Sequence, residues 1–328
     1  MKPLIDMDIL RYEIGACGQY EDEEGNIVAK SFDGVAAAVD QKIKEICALV
    51  WATEEPLCFL SMDARTKKRD ARKIERKVKR LEKRLEGNPL DASANAEVKV
   101  LKEQQVYKPN FRENIAKKKV YKGNRAASVK PLHYDNITEY ILAAYDCVMA
   151  EGLEADDLLS IYQRKAMAEC KDPTTIICSR DKDLAQCNGM YFSWECGRQK
   201  QFGPVLVSGL GSLRPIYRGK NAKGEPKLAE VKGVGVSYFA AQMLMGDPTD
   251  NIPGLPGCGP TKAYPSLKDC NSEQELFTAV KELYVLKFGD GWAEEMLEQG
   301  RLLFMVQELD EDGKPIMWQL PEYLLEDV

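Results

Sequence analysis

Short apolar runs that stop at or beside an aspartate recur along this chain. Leu4 to Asp8 and Leu57 to Met62 have the composition of buried strands, with Asp6 following Pro3-Leu4-Ile5 and Asp63 following the second run. Between them, Val35, Val39, Ile43, Ile46 and Val50 recur at helical spacing over Phe32 to Trp51. Strand, helix, strand at this spacing predicts a right-handed βαβ unit in a parallel sheet. The pattern returns with helices expected over Ile137 to Met149 and Ala155 to Ala168. A β-branched run, Thr174 to Cys178, then leads into Ser179-Arg180-Asp181. Met190 to Trp194 and Pro204 to Val207 are weaker strand signals. Ligands of open α/β sheets gather outside the carboxyl ends of the strands. Asp6, Asp63, Asp181 and Asp183 are therefore expected on one edge.

The stretch Lys67 to Val106 has a different rhythm. Ile74, Val78, Leu81 and Leu85 step by four, three and four, a heptad seam. Gly87-Asn88-Pro89 ends that helix, and Asp91 or Ser93 can cap a second one through Val98, Leu101 and Gln105. The expectation is an antiparallel helical hairpin projecting from the sheet. Leu210 to Lys232 lacks periodicity and is expected to be loop. Gly233 to Met245, Ser272 to Phe288 and Trp292 to Val306 have helical spacing, and Ile316 to Leu320 suggests a short strand. These signals divide the chain into an α/β core over 1–200, with the hairpin inserted at about 66–108, and a helical region over 201–328.

Composition narrows the setting. The 328 residues are 44% apolar, enough for an ordinary globular core. No apolar run approaches the roughly 20 residues of a membrane span, and the first residues lack a signal-peptide core. Ten cysteines occur at wide spacings with no C-x-x-C. The expectation is a reduced, cytoplasmic, monomeric protein without a membrane partner. Cys178, Cys187 and Cys196 are evenly spaced, but the paired spacing of a zinc site is missing. The net charge of −6 hides a strong asymmetry. Arg65 to Arg84 holds twelve Lys or Arg against Asp70, Glu75 and Glu82, and Lys117 to Lys130 forms a second basic stretch. A one-signed excess of this kind favours contact with nucleic acid over a merely solvated helix pair.

The acids are clustered too. Glu154-Ala-Asp156-Asp157, Ser179-Arg-Asp181-Lys-Asp183 and Gly246-Asp247-Pro-Thr-Asp250-Asn each sit at the end of an apolar run or beside a helix start. With Asp6 and Asp63 they would crowd like charges unless cations compensate them. Mg²⁺ binds through a few carboxylates, water and substrate phosphate. Phosphodiester hydrolysis needs an activated water and stabilised oxyanions, which two divalent ions roughly 4 Å apart supply together. Lys122 could stabilise developing charge, and Arg125 could clamp phosphate through its planar fork. The Gly254 to Thr261 turn offers backbone N–H groups at a helix start, a nest for duplex phosphate.

Gly246 to Lys262, read as GDPTDNIPGLPGCGPTK, resembles the last acidic motif and helix-hairpin-helix turn of the flap endonuclease and 5′→3′ exonuclease family. That family includes the 5′-nuclease domains of bacterial DNA polymerase I and small bacteriophage enzymes. Glu154 to Asp157 and Ser179 to Asp183 resemble two further motifs in the expected order. Asn110-Phe-Arg-Glu113 and Tyr121-Lys-Gly-Asn-Arg125 resemble the phosphate-contacting stretch. The resemblance covers about 1–65 and 110–270, and it implies a PIN-like 5′-nuclease fold with a helix-hairpin-helix at about 233–270. It implies that Asp6, Asp63, Glu154, Asp156 and Asp181 surround a first Mg²⁺, for which Mn²⁺ can substitute. Asp183, Asp247 and Asp250 would hold a second directly or through water, and Asp157 fits either shell. Lys122, Arg125 and Arg112 would face phosphate, with Lys122, Arg125 and Asp181 essential to catalysis. Gly254, Gly257, Gly259, Thr261 and Lys262 would grip duplex, with K⁺ held by carbonyls of the same turn. The substrate implied is DNA with 5′ ends, flaps or single-strand/double-strand junctions, met in replication or recombination. One departure stands out: about 45 extra residues precede Asn110, while the interval from Arg125 to Glu154 that often carries the family's arch is short. Two alternatives stay open, RNA-primer removal from RNA–DNA hybrids and a non-catalytic DNA tether.

Overall fold

The apolar runs pair into a six-stranded sheet with strand order β5-β4-β1-β6-β7-β8. In a computed structural model, residues 1–62, 64–89, 91–104, 110–127, 129–220 and 224–326 are described. Along the chain these form β1 (Lys2–Asp6), α1 (Met7–Cys17), a small hairpin of β2 (Gln19–Glu21) and β3 (Ile27–Ala29), α2 (Phe32–Leu49) and β4 (Leu57–Ser61). Then come α3 (Ala64–Gly87), α4 (Ala92–Gln104), α5 (Phe111–Ile115), α6 (Tyr134–Ala144), β5 (Cys147–Ala150), α7 (Ala155–Glu169) and β6 (Thr175–Cys178). The rest comprises β7 (Gly189–Ser193), β8 (Phe202–Val207), β9 (Ser212–Lys220), β10 (Pro226–Val234), α8 (Gly235–Met245), α9 (Pro260–Leu267), α10 (Glu273–Phe288) and α11 (Trp292–Leu303). Strands β5, β4, β1, β6 and β7 run parallel, and β8 closes the edge antiparallel to β7. The sheet is thus mostly parallel and flanked by helices, the α/β class expected.

Both sheet faces are covered, which is why its strands are apolar throughout rather than alternating. Ile5, Cys58, Leu60, Ile176 and Cys178 face the stripe of α1, α2 and α6 that includes Leu10, Val39, Ile46 and Ile141. Leu4, Phe59, Ile177 and Tyr191 face the other way, onto Ala155 and Leu159 of α7. Each such buried aliphatic contributes about 1.5–3 kcal/mol. A separate apolar cluster joins α8 to α11 around Phe277 and Trp318. Trp318 lies so close over Gly300 that a Cβ there would meet its ring at 2.2 Å. The hairpin has a cluster of its own, Val78, Leu81, Ala94, Val98 and Leu101, flanked by Ile74 and Leu85.

The chain starts out from β1 through β4 to β5 on one side, then returns to place β6 and β7 on the other. The reversal falls between β1 and β6, the kind of switch point where α/β sheets bind ligands.

Several expectations fail locally. The helix expected over Ile137 to Met149 stops at Ala144, and Cys147–Ala150 forms β5 beside β4. Leu210 to Lys232 is no loop, since most of it forms the antiparallel β9–β10 ribbon. Ile316 to Leu320 forms no strand; Trp318 instead packs as part of the α8–α11 cluster.

Candidate active site

Among the described residues, acids from four separate segments meet at the carboxyl edge of the sheet. Asp6 ends β1 and caps α1, accepting from the N–H groups of Asp8 at 2.9 Å and Ile9 at 3.4 Å. Its other oxygen accepts from Ser179 Oγ at 2.7 Å, just past β6. The same hydroxyl accepts from the Asp181 N–H at 2.9 Å, and Asp181 in turn accepts from the Asp183 N–H at 2.9 Å. These hydrogen bonds fix the S-R-D-K-D turn against the end of β1. Glu154 and Asp156 arrive with the start of α7, where the unpaired N–H groups of the first turn favour negative charge. Ala155 N–H donates to Ser61 Oγ at 2.7 Å, which ties α7 to the end of β4. Asp63 lies outside the described residues.

The fourth segment, Asp247 to Asp250, is held by the Y-K-G-N-R stretch. Lys122 N–H donates to the Asp250 carbonyl at 2.9 Å, Asn124 Nδ2 to the Pro248 carbonyl at 2.8 Å, and Asn251 Nδ2 to the Val120 carbonyl at 2.9 Å. Tyr121 Oη lies within hydrogen-bond distance of both Glu154 at 2.8 Å and Asp250 at 3.0 Å, joining two clusters that lie far apart in sequence. Lys122 has φ +53°, in the left-handed region. A non-glycine residue there costs about 1–2 kcal/mol. That conformation delivers Lys122 Nζ onto Glu154, with Asp250 at 3.5 Å, while Arg125 pairs with Asp250. Lys182 does the same for the remaining pair, at 2.7 Å from Asp247 and 3.5 Å from Asp183.

Electrostatics separate these acids into two sets. Burial raises Asp6, with the Asp8 and Asp181 charges adding to it, up to about 7. Burial likewise pushes Asp156 and Asp183 well above the ordinary carboxylate range, with the Asp6 and Asp181 charges adding to it at Asp156 and the Asp181 and Asp247 charges at Asp183. Asp181 is raised for the same first reason, with Asp250 adding to it. Glu154 is the opposite case. Burial would raise it, but Lys122, Arg112 and Tyr121 outweigh that and hold it down at about 2. Lys182 likewise overcomes the burial of Asp247 and lowers it.

Such crowding tests the fit of a divalent cation. Four carboxyls hold protons more tightly than usual, Asp6 and Asp183 buried and Asp156 and Asp181 half-buried. Among the described residues only Lys182, beside Asp183, stands at ion-pair distance from them, and their donor set is oxygen only, which suits Mg²⁺. Lysine ammoniums stand against the others. No three carboxylate, thiol or imidazole side chains among the described residues already close into a finished cage.

Three sequence assignments need correction. Arg112 does not face the site opening. It is fully buried, donating to both Asp157 oxygens at 2.7 and 2.8 Å and to the Leu302 and Phe304 carbonyls at 3.1 and 2.8 Å. Asp157 is correspondingly not free to bind metal. Its oxygens also accept from the N–H groups of Glu154 and Val306, so it closes the capping box of α7 and pins the chain after α11. Gly254 is not a phosphate contact. It is buried at φ +63°, its N–H donates to Gln299 Oε1 at 2.9 Å, and a Cβ would lie 2.2 Å from Gly246 N. Gly257, Gly259, Thr261 and Lys262 are exposed around the start of α9.

One pair that steers Asp183, Gln242 and Gln186, belongs to no motif singled out in the sequence. Gln242 Nε2 on α8 donates to Asp183 Oδ1 at 2.6 Å, and its own carbonyl accepts from Gln186 Nε2 at 2.7 Å. Both glutamines are buried. A polar residue on an otherwise apolar helix was the available signal, since Gln242 interrupts Phe239 to Leu244. Lys182 could have been singled out by its place between two acids.

No family model matches the chain. It is 32% identical over 171 residues to DNA polymerase I of Rhizobium leguminosarum, covering 51% of this chain and 15% of the polymerase. It is 27% identical over 199 residues to a 5′-3′ exonuclease of Mycobacterium tuberculosis, covering 54% of this chain and 56% of that protein. A 5′-3′ exonuclease of Buchnera aphidicola is 28% identical over 188 residues, with 55% and 56% covered. The chain thus spans about half the length of these exonucleases and a small part of the polymerase. The matched half is similar to proteins named 5′-3′ exonuclease and DNA polymerase I. Among solved structures, a phage T5 5′-exonuclease with bound zinc aligns over 92% of this chain and 95% of its own, at 13% identity and a TM-score of 0.42. A T5 flap endonuclease complex with DNA and metal ions aligns over 92% and 99%, at 13% identity and a TM-score of 0.40.

Proposed function

We propose that this chain is a divalent-metal-dependent, structure-selective 5′→3′ exonuclease and flap endonuclease acting on DNA. The observation that carries the reading is the gathering of Asp6, Glu154, Asp156, Asp181, Asp183, Asp247 and Asp250 at one sheet edge, with Lys122 and Arg125 set against them. Relatives named 5′-3′ exonuclease and DNA polymerase I support the same class.

Asp6, Glu154, Asp156 and Asp181 would hold one Mg²⁺ or Mn²⁺, with Asp63 joining them by its place after β4. Asp183, Asp247 and Asp250 would hold the second. When bound, such ions supply an activated water and neutralise charge on the phosphate oxygens. The chain's own residues do the rest. Ser179 and Gln242 fix which carboxylate oxygens face inward. Lys122 and Arg125, once exchanged from Glu154 and Asp250, present two cations to the scissile phosphate. The exposed turn of Gly257, Gly259, Thr261 and Lys262 grips duplex phosphate through first-turn N–H groups, with K⁺ on its carbonyls. We assign the core to 1–200 together with β8 (Phe202–Val207), which closes its sheet, and the duplex-holding region to the residues after it.

The test is cleavage of 5′-labelled flap, blunt and RNA-primed duplexes with Mg²⁺ or EDTA. Metal-dependent release from DNA 5′ ends is expected, and Asp181→Asn should reduce it by at least about 10³-fold while DNA affinity in EDTA stays within about threefold. Full turnover in that variant would remove Asp181 from the site. Absence of metal-dependent cleavage on every substrate would leave a DNA tether as the better reading, and preference for the RNA-primed duplex would shift the substrate.

A further inference from the structure

The β9–β10 ribbon packs against α8 and, through β10, against α9 and Lys182–Gln186, the segment that follows Asp181. Val231 is buried and pairs with Pro215, so that face of the ribbon meets the body. Side chains alternate along a strand, which turns Arg214 and Lys232 the other way. Both are exposed, and they are directly opposite each other in the register. Like charges facing across a strand pair destabilise it. A chain with net charge −6 nevertheless places six Lys or Arg and two Glu within 212–234. Glu230 answers part of this charge, with Arg218 at 2.9 Å and Lys232 at 3.9 Å. Arg214, Lys220 and Lys227 meet no carboxylate at ion-pair distance among the described residues.

We infer that the outward face of this ribbon, centred on Arg214 and Lys232, is a second contact for the phosphate backbone of duplex DNA. This inference rests on the nuclease reading above and adds a surface to it. An anion lying across the strand pair relieves the opposition between the two cations. β10 packs on α9, the helix whose start carries the exposed turn, so the two surfaces are joined through one helix. Protein partners bind around apolar centres, which paired cations do not provide.

The experiment measures equilibrium binding of the full chain to a fluorescent 5′-flap duplex in EDTA, from about 50 to 300 mM salt. The Arg214→Gln/Lys232→Gln variant should flatten the plot of log affinity against log salt by roughly two units, one for each lost phosphate contact. At about 0.1 M salt this amounts to roughly 10–60-fold weaker binding. Its melting temperature should equal or exceed the parent's, because the like-charge opposition is gone. Binding to a single strand of the same length should barely change. An unchanged slope on duplex overturns the inference, and an equal loss on the single strand overturns the duplex assignment. Lys220→Gln/Lys227→Gln gives an independent reading should the first pair unfold the ribbon. Failure of the parent to bind any DNA sinks the nuclease reading itself, and is seen before any variant is made.

Discussion

Arg112 and Asp157 show how one residue type serves two ends. An arginine in a basic stretch looks the same from sequence whether it meets phosphate or a buried acid 45 positions away. Here both partners are fully buried and all hydrogen-bonding capacity is directed inward. Removing one member of such a pair leaves an uncompensated buried charge, which costs about 3–5 kcal/mol, while replacing both by apolar groups is often neutral. Arg112→Met should therefore lower the unfolding free energy by about that amount in a denaturant titration. Adding Asp157→Leu should recover much of it. Unchanged stability with weakened DNA binding would return Arg112 to the phosphate. The other acids were legible because they are grouped and ordered. Gln242 was not, because an isolated polar residue on a buried helix carries no mark of what it donates to.

Among the elements, strands and helices with long, regular apolar patterns were legible, and short or Gly/Pro-punctuated ones were not. Cys147 to Ala150 is too short an apolar run to be told from the end of a helix by period alone. The β9–β10 ribbon is mostly exposed, with Val231 its one fully buried residue, so no sustained apolar pattern marks it. The α3–α4 hairpin is the reverse case, since its heptad seam produces a small core independent of the sheet. Its exposed ion pairs, such as Lys77–Glu97 at 2.6 Å and Arg84–Asp91 at 2.7 Å, contribute little to stability. They leave a basic excess along α3, including exposed Arg76, Arg80 and Lys83. Replacing residues 66–108 with a short linker should leave the cooperative melt of the sheet in place. DNA affinity should fall, and its salt dependence should become shallower. A linker variant with the parent's salt slope would show that the hairpin makes no contact with DNA.

At the scale of the molecule, the sheet edge trades stability for a site. Asp6 has a pKa of about 7 when folded against an ordinary 3.8, and Asp156, Asp181 and Asp183 are raised as well. Between those values the folded chain holds more protons than the unfolded one, so unfolding free energy falls as pH rises. Glu154 and Asp247 act in the other direction, because their folded values are lowered. Their contribution is present above the ordinary carboxylate range and lost in acid, with Glu154 losing it near 2, so they do not cancel the loss across pH 5–7. The metal-free protein should accordingly melt at lower temperature as pH rises from about 5 to 7. Divalent cations compete with those protons, so added Mg²⁺ should stabilise more at pH 7 than at pH 5. At a hundredfold excess over its dissociation constant, one ion adds about 2.7 kcal/mol. Calorimetric melts in EDTA and in Mg²⁺ across this range measure both slopes. A flat EDTA curve, with no greater metal effect at the higher pH, would mean that these acids are not held together without a counter-charge.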